Sequence, residues 1–122
     1  MTAPLWVACA AIGAGGALLR AETVAAATRR LGVRFPWGTM IVNLSGAFML
    51  GLLHGAEVSH TALTLAGAAF LGSLTTFSTW MLETTRLLKT SFVTAAANVA
   101  GSLLAGVALA ELGNLVGKAI AG

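Results

Sequence analysis

Four apolar stretches divide the chain, each separated from the next by a short polar segment. They are Pro4–Leu19 with 16 residues, Phe35–Leu53 with 19, Thr61–Leu82 with 22 and Phe92–Ala110 with 19. A hydrocarbon layer about 30 Å thick is crossed by roughly 20 helical residues. In lipid every backbone polar group needs a partner within its own segment, so these stretches read as helices, not open strands. The first stretch is short for a span and is expected to continue through Arg20 and the Ala-rich segment to Thr28, with Arg20 and Glu22 near the interface. The pattern predicts helices at about 4–28, 35–53, 61–88 and 92–115 in a single domain covering 1–122. An even number of spans puts both termini on one side, and the short connections make neighbouring helices antiparallel.

Composition agrees with this all-α membrane reading. The chain is 57% hydrophobic and only 9% charged, with mean hydropathy +0.90, whereas soluble domains carry about 25% charged residues. The N-terminal Met-Thr-Ala-Pro lacks the basic start of a signal peptide, so the first apolar run is expected to be retained. A single cysteine, Cys9, permits no internal disulfide framework and reads as a small packing residue. A net charge of +3 could indicate nucleic acid in a soluble protein. On short loops it is a topology signal instead, and no nucleic-acid partner is expected. Counting Arg20, Arg29, Arg30 and Arg34 in the first loop and Arg86 and Lys89 in the third gives six basic residues, against Lys118 alone on the other side. The positive-inside rule then places loops one and three in the cytoplasm and both termini outside.

Polar residues inside the spans carry the candidate chemistry. Ser73, Thr75, Thr76, Ser78 and Thr79 put five hydroxyls within seven positions of the third span, beside Phe77 and Trp80. Hydroxyls that merely bond back to a carbonyl one turn earlier would make this a packing helix. Alternatively, Gly72 followed by Ser and Thr permits local unwinding, which frees carbonyls to hold a cation at mid-membrane. Asn43, Ser45 and Gly46 interrupt the second span. Ala97, Gly101 and Ala105, with Asn98, Ser102 and Gly106 alongside, form small-residue ladders on the fourth. There is no acid pair, metal-spaced His–Cys cluster or phosphate loop, and His54 and His60 read as loop residues, so no enzyme is expected. Glu22 and Glu83 are read at segment ends. Neutral hydroxyl and amide donors can pass an anion without trapping it at a fixed charge. Phe77 and Trp80, three residues apart, share a face and could turn positive ring edges to a small anion, or simply pack.

Three segments resemble the Fluc (CrcB) fluoride channels. Gly13-Ala14-Gly15-Gly16-Ala17-Leu18-Leu19-Arg20 is similar to the family's G-x-x-G-A-x-x-R signature. Pro36-Trp37-Gly38-Thr39-Met40-Ile41-Val42-Asn43-Leu44-Ser45-Gly46-Ala47-Phe48 is similar to P-x-G-T-x-x-x-N-x-x-G-x-F. Gly72-Ser73-Leu74-Thr75-Thr76-Phe77-Ser78-Thr79-Trp80 is similar to G-x-x-T-T-F-S-T-F. The resemblance implies a bacterial inner-membrane, fluoride-specific channel that exports cytoplasmic fluoride passively. It implies a third helix broken near its middle and an antiparallel dimer of protomers. It also implies a central structural sodium ion on the main-chain carbonyls of Gly72 and Thr75. Asn43, Phe77, Trp80, Ser78, Thr79 and Ser102 would belong to the fluoride pathway, and Arg20 to an aqueous vestibule. Two positions depart from the family pattern: Trp80 replaces a Phe, and Asn98 stands where a Tyr would align. With the charge bias, these leave open both a homodimer of dual topology and a heterodimer with a related chain. A small four-helix multidrug exporter is the alternative, but it needs a carboxylate within the first span, and Pro4–Leu19 has none. A non-transporting scaffold subunit would have no use for Asn43 or the hydroxyl cluster.

Overall fold

The computed structural model describes residues 1–122 and is entirely helical. Helix α1 runs Ala3–Leu31 and α2 runs Trp37–Gly55. The third span opens with the short α3, His60–Ala62, and continues as a π-helical run, Leu63–Leu71, into α4, Gly72–Leu74. After residues 75–77, which are outside any helix, α5 runs Ser78–Leu88, and α6 runs Phe92–Ala121. Ala3–Leu31, Trp37–Gly55, His60–Leu88 and Phe92–Ala121 are each long and apolar enough to cross a membrane.

The first and last spans outrun the expected bounds of 4–28 and 92–115. Arg29 and Arg30 lie within the last turn of α1, and Lys118 within that of α6. Cations are favourable at the carbonyl end of a helix dipole, so charge there marks the water boundary without ending the helix. Gly32 ends α1 in the left-handed region, φ 83°, with its amide on the Thr28 carbonyl at 3.0 Å. Pro36 precedes the first helical residue of α2, a place where its missing N–H costs nothing. Ser59 and Ser91 cap α3 and α6, accepting from the amides of Ala62 at 3.1 Å and Thr94 at 3.2 Å.

The tightest packing is between α2 and α6. A side chain at Gly51 or Gly55 would run into the backbone carbonyls of Ala110 and Asn114 respectively, and one at Gly113 or Gly117 into those of Phe48 and Leu52. Reciprocal glycines let the two backbones touch. In lipid, where apolar burial supplies no driving force, such close packing is what holds helices together. Helix α1 uses Gly13 and Gly16 in the same way against the third span, where a Cβ at Gly16 would lie 2.5 Å from the Phe70 carbonyl. The buried apolar cluster is small, formed by Val42, Leu71 and Leu74, and large apolar side chains such as Trp6, Val7 and Leu104 face outward. That inversion suits a protein whose solvent is hydrocarbon.

Candidate functional site

The backbone at 75–77 organises the site. Thr75 is extended, with φ −88° and ψ 160°, so the helical ladder cannot run through it. In an unbroken helix the amide of Thr76 would serve the Gly72 carbonyl, and the amide of Thr79 the Thr75 carbonyl. Here the Thr76 amide donates to Asn43 Oδ1 at 2.8 Å, and Asn43 Nδ2 donates to the Thr76 carbonyl at 2.9 Å. One amide side chain thus satisfies both polar groups of one peptide residue. The Thr79 amide turns instead to Thr76 Oγ1 at 3.3 Å, and this hydroxyl acts as a cap for α5. The Thr75 carbonyl receives Arg20 Nη1 at 3.3 Å. Across the interface, Gly46 lies so close to the Thr75 methyl that no side chain could be added there.

The Gly72 and Thr75 carbonyls have therefore lost the helical donors that would otherwise occupy them. Main-chain oxygens freed from a ladder are the donor set a hard monovalent cation takes, and Gly72 is exposed on the protomer surface. The residues present fit a sodium ion in this respect. The guanidinium on Thr75 leaves the oxygen a second lone pair.

A cavity of about 550 Å³ opens beside this segment. Its walls include Asn43, Gly72, Thr75, Phe77, Trp80 and Ser102, so six of the residues singled out from the sequence converge from α2, the third span and α6. Phe77 is 70% exposed, and its ring meets Trp80 edge-on, with centroids 5.6 Å apart and planes at 68°. Ser78 and Thr79 are exposed at the start of α5 and do not line this cavity. Of the five hydroxyls, only Thr75 bonds back one turn, to the Leu71 carbonyl at 2.9 Å. The simple packing reading thus accounts for one member of the cluster.

Arg20 is not a loop residue. It is half-buried inside α1 and reaches the third span, so its count as a topology charge is withdrawn, leaving five basic residues against one. Glu22 and Glu83 likewise lie within α1 and α5 and not at segment ends. Burial leaves Glu83 Oε1 without a partner. The expected helices 4–28 and 61–88 already enclose all three residues, and only their reading as loop or end positions is corrected. A charged residue within a span is tolerated where it is turned away from lipid.

Asn98 is a connection the sequence did not disclose. It is fully buried and donates to Thr84 Oγ1 at 3.0 Å, and Thr84 in turn donates to the Trp80 carbonyl at 2.8 Å. The spacing of Trp80 and Thr84, one turn apart, was a usable signal. The partner across the helix interface was not.

The chain matches the family model described as CrcB-like protein, Camphor Resistance (CrcB), over residues 7–114. A protein of Mycolicibacterium paratuberculosis named fluoride-specific ion channel FluC 2 is 46% identical over 120 residues, covering 98% of each chain. Its counterpart of the same name in Mycobacterium tuberculosis is 42% identical over 119 residues, covering 97% of this chain and 94% of the other. Fluoride-specific ion channel FluC 1 of Geobacillus kaustophilus is 41% identical over 119 residues, covering 97% and 100%.

Proposed function

The chain belongs to the CrcB family, and from that premise we propose that it is a protomer of a fluoride-specific channel letting cytoplasmic fluoride leave passively across a bacterial plasma membrane. It is a channel subunit and not an enzyme. The observation that carries the reading is the convergence of Asn43, Phe77, Trp80 and Ser102 on one cavity beside the non-helical segment 75–77. All four are neutral. Amide and hydroxyl donors with positive ring edges favour a small anion while leaving it free to move on.

The interruption at 75–77 is read as a functional break of the third helix. An antiparallel dimer, as homodimer or with a related chain, would bring two such segments together. A sodium ion held by the Gly72 and Thr75 carbonyls would supply a fixed positive charge there. What this chain contributes is the support. Asn43 fixes the Thr76 peptide, Arg20 engages the Thr75 carbonyl, and the Thr76 hydroxyl starts α5. Phe77 exposes its ring beside the donors, while Ser78 and Thr79 on the outer face of α5 would complete the pathway only once a second protomer covers them.

The test is reconstitution of the purified chain in liposomes, with fluoride efflux followed by electrode and chloride as control. Fast efflux of fluoride and not chloride is expected. Silence of the folded chain, both alone and co-expressed with a related chain, would overturn the reading in favour of a non-transporting subunit.

A further inference from the structure

We propose that the Trp80 indole N–H and the Ser102 hydroxyl form a two-donor hydrogen-bond station for the dehydrated anion, making Trp80 a specificity-determining residue. This rests on the transport reading above and adds to it a donor that a phenyl ring at position 80 could not supply.

Four observations carry it. Trp80 is 9% exposed, and its Nε1 is buried without any acceptor. Indole N–H is a donor only, and an unpaired buried donor is costly enough to require an explanation. The Ser102 hydroxyl, on α6, is also buried without a partner, and both residues wall the same cavity. Finally, the Trp80 backbone is anchored and one side of its ring is covered. Thr84 accepts from the buried Asn98 and donates to the Trp80 carbonyl, fixing the backbone. Phe77 packs edge-on against the indole.

The chemistry of the pair selects its ligand. The indole N–H can only donate, and the Ser102 hydroxyl can turn its proton to the same ligand, so the pair suits an anion better than a cation. Among ions already stripped of water, a compact, strongly basic halide gains more from a short N–H contact than a larger, diffuse one, so the station holds dehydrated fluoride more tightly than dehydrated chloride. Being uncharged, it releases the ion again. Phe77, largely exposed, is the neighbour with room to turn and admit the ion to the indole, and Asn98 acts as a positioning residue through Thr84.

Three tryptophans make the test internally controlled. With the indoles 15N-labelled in the full-length protein, sodium fluoride and then sodium chloride are titrated while the Trp6, Trp37 and Trp80 N–H resonances are followed. The expected result is a saturable downfield movement of the Trp80 signal with fluoride, little movement with chloride, and none at Trp6. Trp80→Phe should lose that signal, keep its assembly state and slow fluoride efflux about five- to tenfold, the order of one neutral hydrogen bond. A Trp80 signal indifferent to fluoride in protein that conducts would overturn the proposal and leave the transport reading intact, water then being the bridging partner. Efflux from Trp80→Phe as fast as from the parent would do the same. A chain that conducts no fluoride would fail the transport reading, and the titration still reports separately on whether the indole binds the ion.

Discussion

Asn43→Ala is the sharpest perturbation of the site. The side chain makes two hydrogen bonds, at 2.8 and 2.9 Å, to the amide and carbonyl of a residue that no helix can satisfy. Each backbone group left unpaired costs about 1–3 kcal/mol when buried. Asn43 is half-buried, so water from the cavity recovers part of this, and the combined loss is placed at about 2–4 kcal/mol. A thermal melt monitored by size-exclusion should therefore show a clear fall in midpoint, alongside loss of fluoride efflux. Asn43→Asp separates the two contributions. It retains an acceptor for the Thr76 amide but sets a carboxylate against the Thr76 carbonyl and beside the anion route. It should melt no higher than Asn43→Ala and conduct no better. An Asn43→Ala protein with parental melting and parental efflux would refute the account of how the 75–77 segment is held.

Gly51→Ala and Gly113→Ala should each lower the melting midpoint by an amount corresponding to about 1–3 kcal/mol of overpacking. Gly106→Ala, where an added methyl meets only Leu44 at ordinary contact distance, should be close to neutral in the same measurement. Phe77→Ile should abolish fluoride efflux while the protein elutes with its parental assembly state, and retained efflux would remove Phe77 from the pathway. Arg20→Ala should slow efflux without abolishing it, most visibly at low ionic strength if the guanidinium also attracts anions. An unchanged rate would confine Arg20 to a structural contact with Thr75.

The four spans were legible because lipid imposes one rule on every residue in contact with it, and runs of 16 to 22 apolar residues state that rule without help from the rest of the chain. Most of the candidate site was legible for a related reason. Polar groups are so few within the spans that Asn43, Ser102 and the hydroxyls around Phe77 stood out by contrast. What the sequence concealed were pairings between helices. Nothing local in Arg20-Ala21-Glu22 says that the guanidinium turns toward a carbonyl 55 residues away. The same holds for Asn98, whose small-residue ladder pointed to packing while its amide was engaged by Thr84. Helices α1 and α6 run past the expected ends at 28 and 115, because a cation in the last turn stabilises a helix instead of ending it.

The support of the 75–77 segment shows why its residues are of unlike kinds. The Thr76 peptide needs a donor and an acceptor at once, which an amide provides side by side in one planar group. The Thr75 carbonyl needs only a donor, and because it lies at the negative end of α4, a guanidinium suits it. The first turn of α5 needs an acceptor for an orphan amide, and the Thr76 hydroxyl is already placed to give it. Exchanging these roles would leave at least one group unsatisfied: a carboxylate at 43 could not donate, and an amide at 20 would lack both the reach and the charge. Each side chain is thus fixed by the backbone groups it serves. The cavity beside them can remain lined by neutral donors, because the work of holding the backbone is done outside it by Arg20 and on its wall by Asn43.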